Sequence, residues 1–167
     1  MSKVTYKVAQ NKKFLLDEKD RLILKELLHN ARSSVATISE KTGVLRDTVA
    51  KRVNKLKEHG VVLGFDTTLD PVALGYNYFA HIFIKTESLP KEELADFYNK
   101  LKDTPEVTHI TKILGNFDVV LTVVARDGLH FDETIENIKR NPKKIIEKME
   151  VATITSEEKI NDFSKLI

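Results

Sequence analysis

The sequence predicts an α+β protein: an N-terminal winged helix-turn-helix joined by a hinge to a C-terminal βαββαβ ferredoxin-like (ACT-like) domain. Three observations predict it. Two helical stretches flank a short helix and a glycine turn within the first 65 residues. Beyond them, strand-like runs alternate with amphipathic helical ones. The charge divides near the same place. Residues 1–64 carry 10 Lys and 4 Arg against 7 acidic side chains, a net +7, while the remainder carries −5 of the overall +2. A basic front half calls for a polyanionic partner.

The elements follow in order. Residues 1–15 form a polar, Lys-rich basic arm. From Leu16 a helical period begins, with Ile23, Leu24, Leu27 and Leu28 on one face and Asp17, Glu18 and Asp20 in the first turn, where negative charge suits the helix dipole. His29-Asn30 ends it. Ser34 is an N-cap for a second, short helix with Val35, Ile38 and Ser39 inward, and Gly43 stops that helix. A third helix runs from Arg46 to His59 and is stopped by Gly60. Val61 to Asp66 is predicted to be a strand, with a turn at Thr67-Thr68, and this hairpin would be the wing. The helix-turn-helix unit thus spans 16–68, and 69–75 is the hinge, bracketed by Pro71 and Gly75.

The second domain spans 76–155 and a tail spans 156–167. Tyr76–Thr86 is a strand, and Leu89-Pro90 opens a helix with Leu94, Phe97, Tyr98 and Leu101 on one side. Val107–Leu114 and Asp118–Ala125 are strands joined by the tight turn Gly115-Asn116-Phe117. Phe131, Ile135 and Ile138 mark a second helix that ends before Pro142, and Ile145–Thr155 is the last strand. One strand has an unusual property. Val119, Leu121 and Val123 alternate with Val120, Thr122 and Val124, so both faces are apolar. Two helices cover one face of such a sheet; a second copy of the chain is the simplest cover for the other, and the tail or the N-terminal domain folding over it is the alternative.

Several function classes are excluded. There is no Cys, hence no disulfide framework and no cysteine nucleophile. The five histidines show no metal-ligand spacing, and no phosphate loop or hydrolase motif occurs. No apolar run approaches the roughly 18 residues of a membrane span, and the N-terminus lacks the apolar stretch of a secretory signal. The expectation is a cytoplasmic protein with no membrane partner, no cofactor and no enzymatic activity.

The third helix carries the functional signal. On a wheel of about 100° per residue, Val49, Val53 and Leu56 form a narrow apolar stripe, with Asp47, Thr48, Lys51, Asn54 and Lys55 on the far side. A recognition helix needs this division: one stripe anchors it and the other offers donors to bases and phosphates. Arg46, Asp47 and Thr48, in the first turn, would enter the major groove. Lys51, Arg52 and Lys55 are placed for phosphates, with Arg52 at the flank.

The segments LLDEKDRLILKELLHNARSS, ATISEKTGV and RDTVAKRVNKLKEHGVVLGFDTTLDPVALGY, with Gly115-Asn116-Phe117-Asp118 further on, resemble the leucine-responsive regulatory protein/AsnC (Lrp/AsnC) family of bacterial and archaeal transcription regulators. The likeness runs from about Leu16 to Thr155, and an archaeal source is expected. The resemblance implies a homodimer built through the C-terminal sheets, assembly into tetramers or octamers, and double-stranded DNA as partner, with contact to the transcription machinery. It also implies an amino-acid-like effector near Gly115, Asn116, Phe117 and Asp118, with Asp118 receiving an ammonium group or serving as a turn cap or an intersubunit hydrogen-bond acceptor. Two departures stand out. Leu45 occupies a position where members often have Ser, and Lys148 and Glu150 lie where many carry Thr. The rival readings are an architectural DNA-binding protein without effector and a small-molecule-sensing regulatory module.

Overall fold

A computed structural model describes residues 14–65, 67–140, 144–158 and 163–167 of the 167-residue chain. The expected arm therefore lies outside the described residues except for Phe14 and Leu15. The chain divides into two compact units. One runs to Thr68 and includes the C-terminal segment after Glu158; the other is Leu69–Glu158.

The first unit holds three helices, α1 (Glu18–His29), α2 (Val35–Thr42) and α3 (Arg46–Glu58). Asp17 caps α1 through a capping box: its carboxylate accepts from the Asp20 amide, and the Asp20 side chain accepts from the Asp17 amide. Ser34 caps α2, which Gly43 ends at φ +69°, a conformation that glycine adopts without steric cost. Ile23, Leu27, Ile38, Val44 and Val49 form the core, with Val53 packed against it. Ile38 is the inward residue of α2, whereas Val35, expected to face inward, is exposed.

The wing strand expected at 61–66 is not formed among the described residues. The end of α3 explains part of this. Gly60 sits at φ +68°, its amide bonds to the Lys57 carbonyl, and the Val61 and Val62 amides both return to the Leu56 carbonyl. This is a Schellman-type cap, and it takes up the donors with which the hairpin would have begun.

The second unit opens with a closed turn at Pro71–Gly75, in which the Tyr76 amide donates to the Pro71 carbonyl at 2.9 Å. It then runs β1 (Tyr78–Thr86), α4 (Lys91–Asp103), β2 (Val107–Lys112), β3 (Val119–Ala125), α5 (Gly128–Lys139) and β4 (Ile146–Thr153), the expected βαββαβ order. The four strands form an antiparallel sheet in the order β2-β3-β1-β4. On one face Ala80, Ile82, Ile84, Val119, Leu121, Val123 and Ala125 are buried with Phe97 and Leu101 of α4 and Phe131, Ile135 and Ile138 of α5. Among the described residues no helix of this unit packs on the other face. Phe79, His81 and Phe83 of β1 pair with Val124, Thr122 and Val120 of β3 there, and all six remain half-buried. Both faces of β3 are thus apolar, and only one is covered within the unit.

Candidate nucleic-acid interface and effector loop

The outward side of α3 is built by burial of its inward side. Val49 and Leu56 are completely buried, which fixes the rotation of the helix. Asp47, Lys51, Asn54 and Lys55, at helical neighbour spacing, are then exposed along one stripe, with Arg46 exposed at its start. Thr48 is half-buried at the stripe's edge. The Lys55 ammonium lies 5.3 Å from the Phe14 ring centroid, and that ring packs at 4.9 Å against His59. The sequence contained no local sign of this contact.

Arg52 departs from its expected role. Its guanidinium donates to Asp17 at 2.6 Å and to Asp20 at 2.7 Å, tying α3 to the first turn of α1. The two carboxylates hold Arg52 more basic than usual, while the Asp20 amide and then Arg52 hold the Asp17 carboxyl below its ordinary range. Both bonds use Nη1, and the two carboxylates offset the guanidinium charge, which weakens its attraction for a phosphate. Arg52 is accordingly a brace that sets the orientation of α3. Asp20, expected only to serve the helix dipole, is 2% exposed and forms the inner anchor of that brace.

The loop between β2 and β3 is closed by the Ile113 amide on the Asp118 carbonyl at 2.9 Å, and Gly115 has φ +149°. Leu114, Gly115 and Asn116 are exposed. Phe117 turns back onto Phe83, with ring centroids 5.6 Å apart, and the Lys148 ammonium lies 5.3 Å from its ring. Lys148 also pairs with Glu150 at 2.6 Å.

Asp118 does not present a free carboxylate. One oxygen accepts from the Lys85 ammonium at 3.0 Å; the other accepts from the Thr86 amide at 2.8 Å and the Thr86 hydroxyl at 3.0 Å. The Thr86 amide, followed by Lys85, depresses its pKa. Of the ligand-binding and structural roles expected of Asp118, the structural one matches these bonds: the ammonium is the chain's own Lys85, and the carboxylate fastens the end of β1 to the start of β3.

His81 and His109 lie on one sheet face, on the two strands that flank β3, both aligned with Thr122. His81 shares a 3.3 Å contact with the Thr122 hydroxyl, and no group of metal-binding side chains occurs among the described residues. No helix among them is long and apolar enough to cross a membrane.

A helix-turn-helix with a basic outward helix, followed by a separate sheet domain, defines a DNA-binding transcription regulator. Comparison with known proteins specifies the family. Residues 16–57 match the AsnC-type helix-turn-helix domain, and residues 80–161 match the Lrp/AsnC ligand binding domain. The HTH-type transcriptional regulator FL11 of Pyrococcus horikoshii is 30% identical over 127 residues, 76% of this chain and 82% of that protein. The proline dehydrogenase transcriptional activator of Rhodobacter capsulatus is 32% identical over 113 residues, 68% and 73% of the two chains. Among solved structures, an AsnC family transcriptional regulator from Agrobacterium tumefaciens superposes with a TM-score of 0.81 at 24% identity, covering 91% of this chain and all of that one. A transcriptional regulator–L-Met complex from Neisseria meningitidis gives 0.81 at 20% identity, covering 92% of this chain and all of that one. The chain belongs to the Lrp/AsnC family of transcription regulators.

Proposed function

We propose that the protein is a cytoplasmic homodimeric regulator that reads a pseudo-palindromic DNA site through α3 of each copy. The observation that carries this reading is the exposed stripe of Arg46, Asp47, Lys51, Asn54 and Lys55 opposite the fully buried Val49 and Leu56. Arg46, Asp47 and Thr48 would face base edges, and Lys51 and Lys55 the phosphates. The dimer surface is the open sheet face. Its half-exposed Phe79, Phe83, Val120 and Val124 form an apolar patch that a second copy of the same sheet would cover.

A small amino-acid-like effector would act through the Leu114–Phe117 loop rather than through the occupied Asp118 carboxylate. The relative solved with L-Met supports this class of ligand. The effector would alter affinity by favouring one arrangement of the paired copies.

The test is the salt dependence of DNA binding. Each phosphate contact contributes about −0.9 to the slope of log K against log salt. Lys51→Ala and Lys55→Ala are each expected to flatten that slope by about one contact and to weaken binding to all sequences alike. A double variant with the wild-type slope and affinity would refute the reading.

A further inference from the structure

We propose that Leu45 is a base-reading residue that selects thymine through its C5-methyl group, at the leading end of α3. The proposal rests on the DNA-binding reading above and adds an apolar contact to its polar stripe.

Two independent features of Leu45 point there. The first is its exposure. Its neighbour Val44 is buried in the core of the first unit, but Leu45 is 77% exposed. Its side chain therefore contributes little to folding. It stands immediately before Arg46, at the end of the helix whose outward stripe is basic.

The second feature is the missing cap. Leu45 is the N-cap of α3, with φ −55° and ψ 139°, and makes no side-chain cap hydrogen bond. Asp17, Ser34 and Asp127 each accept an amide of α1, α2 and α5, whereas Pro90 before α4, like Leu45, makes no side-chain cap bond. Pro90 at least locks its own φ, a benefit that leucine does not bring. Leucine is among the poorest N-cap residues, and serine there would stabilise the helix. A large apolar side chain thus occupies, without structural benefit, the position that leads into the major groove.

Chemistry names the target. Thymine alone presents a methyl group in the major groove, and apolar side chains read it by contact. Arg46, exposed next to Leu45 in sequence, and Lys51, exposed further along α3, supply the attraction to the polyanion that brings an apolar group to the base edge. A docking role toward another protein would not require a thymine, which makes the two occupants separable.

The experiment uses the full chain and a duplex obtained by in vitro selection with it. Each thymine is replaced in turn by deoxyuridine, which removes only the methyl group. Wild type is expected to show one symmetry-related thymine pair at which replacement weakens binding about fourfold per half-site, the worth of one buried methyl. Leu45→Met is expected to keep that sensitivity. Leu45→Ser is expected to lose it, while keeping the wild-type salt slope and a melting temperature no lower than wild type. Indifference of wild type to every replacement would overturn the proposal, as would undiminished sensitivity in Leu45→Ser. Either result leaves the DNA-binding reading standing. Absence of binding to any duplex at low salt would overturn that reading, and the Leu45 assignment with it.

Discussion

At the residue scale, two charged side chains act differently from what their place in the sequence suggests. Arg52 lies on the flank of a basic helix, so periodicity alone makes it a phosphate contact. Its partners, Asp17 and Asp20, are over thirty residues away, and nothing local indicates that the fold would bring them within 2.7 Å. Arg52→Ala leaves the buried Asp20 without its counter-ion and is expected to cost about 2 kcal/mol in urea denaturation. In the folded variant the slope of DNA affinity against salt is expected to stay at the wild-type value, unlike that of Lys51→Ala. A slope reduced by one contact would return Arg52 to the phosphates. Asp118 was legible as a turn residue, but Lys85 and Thr86 reach it only through the β1–β3 register. Its folded pKa lies below the ordinary carboxylate value, chiefly because of the Thr86 amide and then Lys85. The stabilisation is therefore complete above about pH 4 and is lost as the pH falls through the depressed value. Urea melts between about pH 5 and pH 3 should show a shallower acid loss in Asp118→Asn than in wild type.

At the element scale, the sequence was most informative where side-chain periodicity and capping agree. Ser34 and Gly43 begin and end α2 where their chemistry suggests, and the 3.6-residue stripe of Val49, Val53 and Leu56 fixes α3, whereas Asp17, read as a first-turn residue, is the N-cap of α1. The two-residue alternation of β3 indicated both of its faces, including the uncovered one. The strand expected from Val61 is absent among the described residues for a definite reason. Val61-Val62-Leu63 has strand composition, but two of its amides close the C-terminus of α3 behind Gly60. Backbone capping competes with strand pairing for the same donors, and composition does not register that competition. Gly60→Ala places a side chain at φ +68°, although the space around it is open. It is expected to cost about 1 kcal/mol through conformation alone, measured by thermal or urea unfolding. An unchanged stability would mean that this cap does not hold the end of α3.

At the scale of the whole molecule, the charge asymmetry and the doubled apolar face of the sheet point to two partners, a polyanion and a second copy of the chain. The family membership supports DNA as the first, and the open face supplies a reason for the second. A dimer of sheets would link two α3 helices and let them act on one duplex together. The operator was not legible, because base identity depends on the docked geometry of a few exposed side chains. The most direct measurement is ethylation interference on a duplex selected by the full chain. The account predicts two symmetric clusters of interfering phosphates, centred about 10–10.5 base pairs apart or at a multiple of that spacing, and loss of the matching phosphate from each cluster in Lys51→Ala. A single unpaired cluster, or a pattern that Lys51→Ala leaves unchanged, would contradict it.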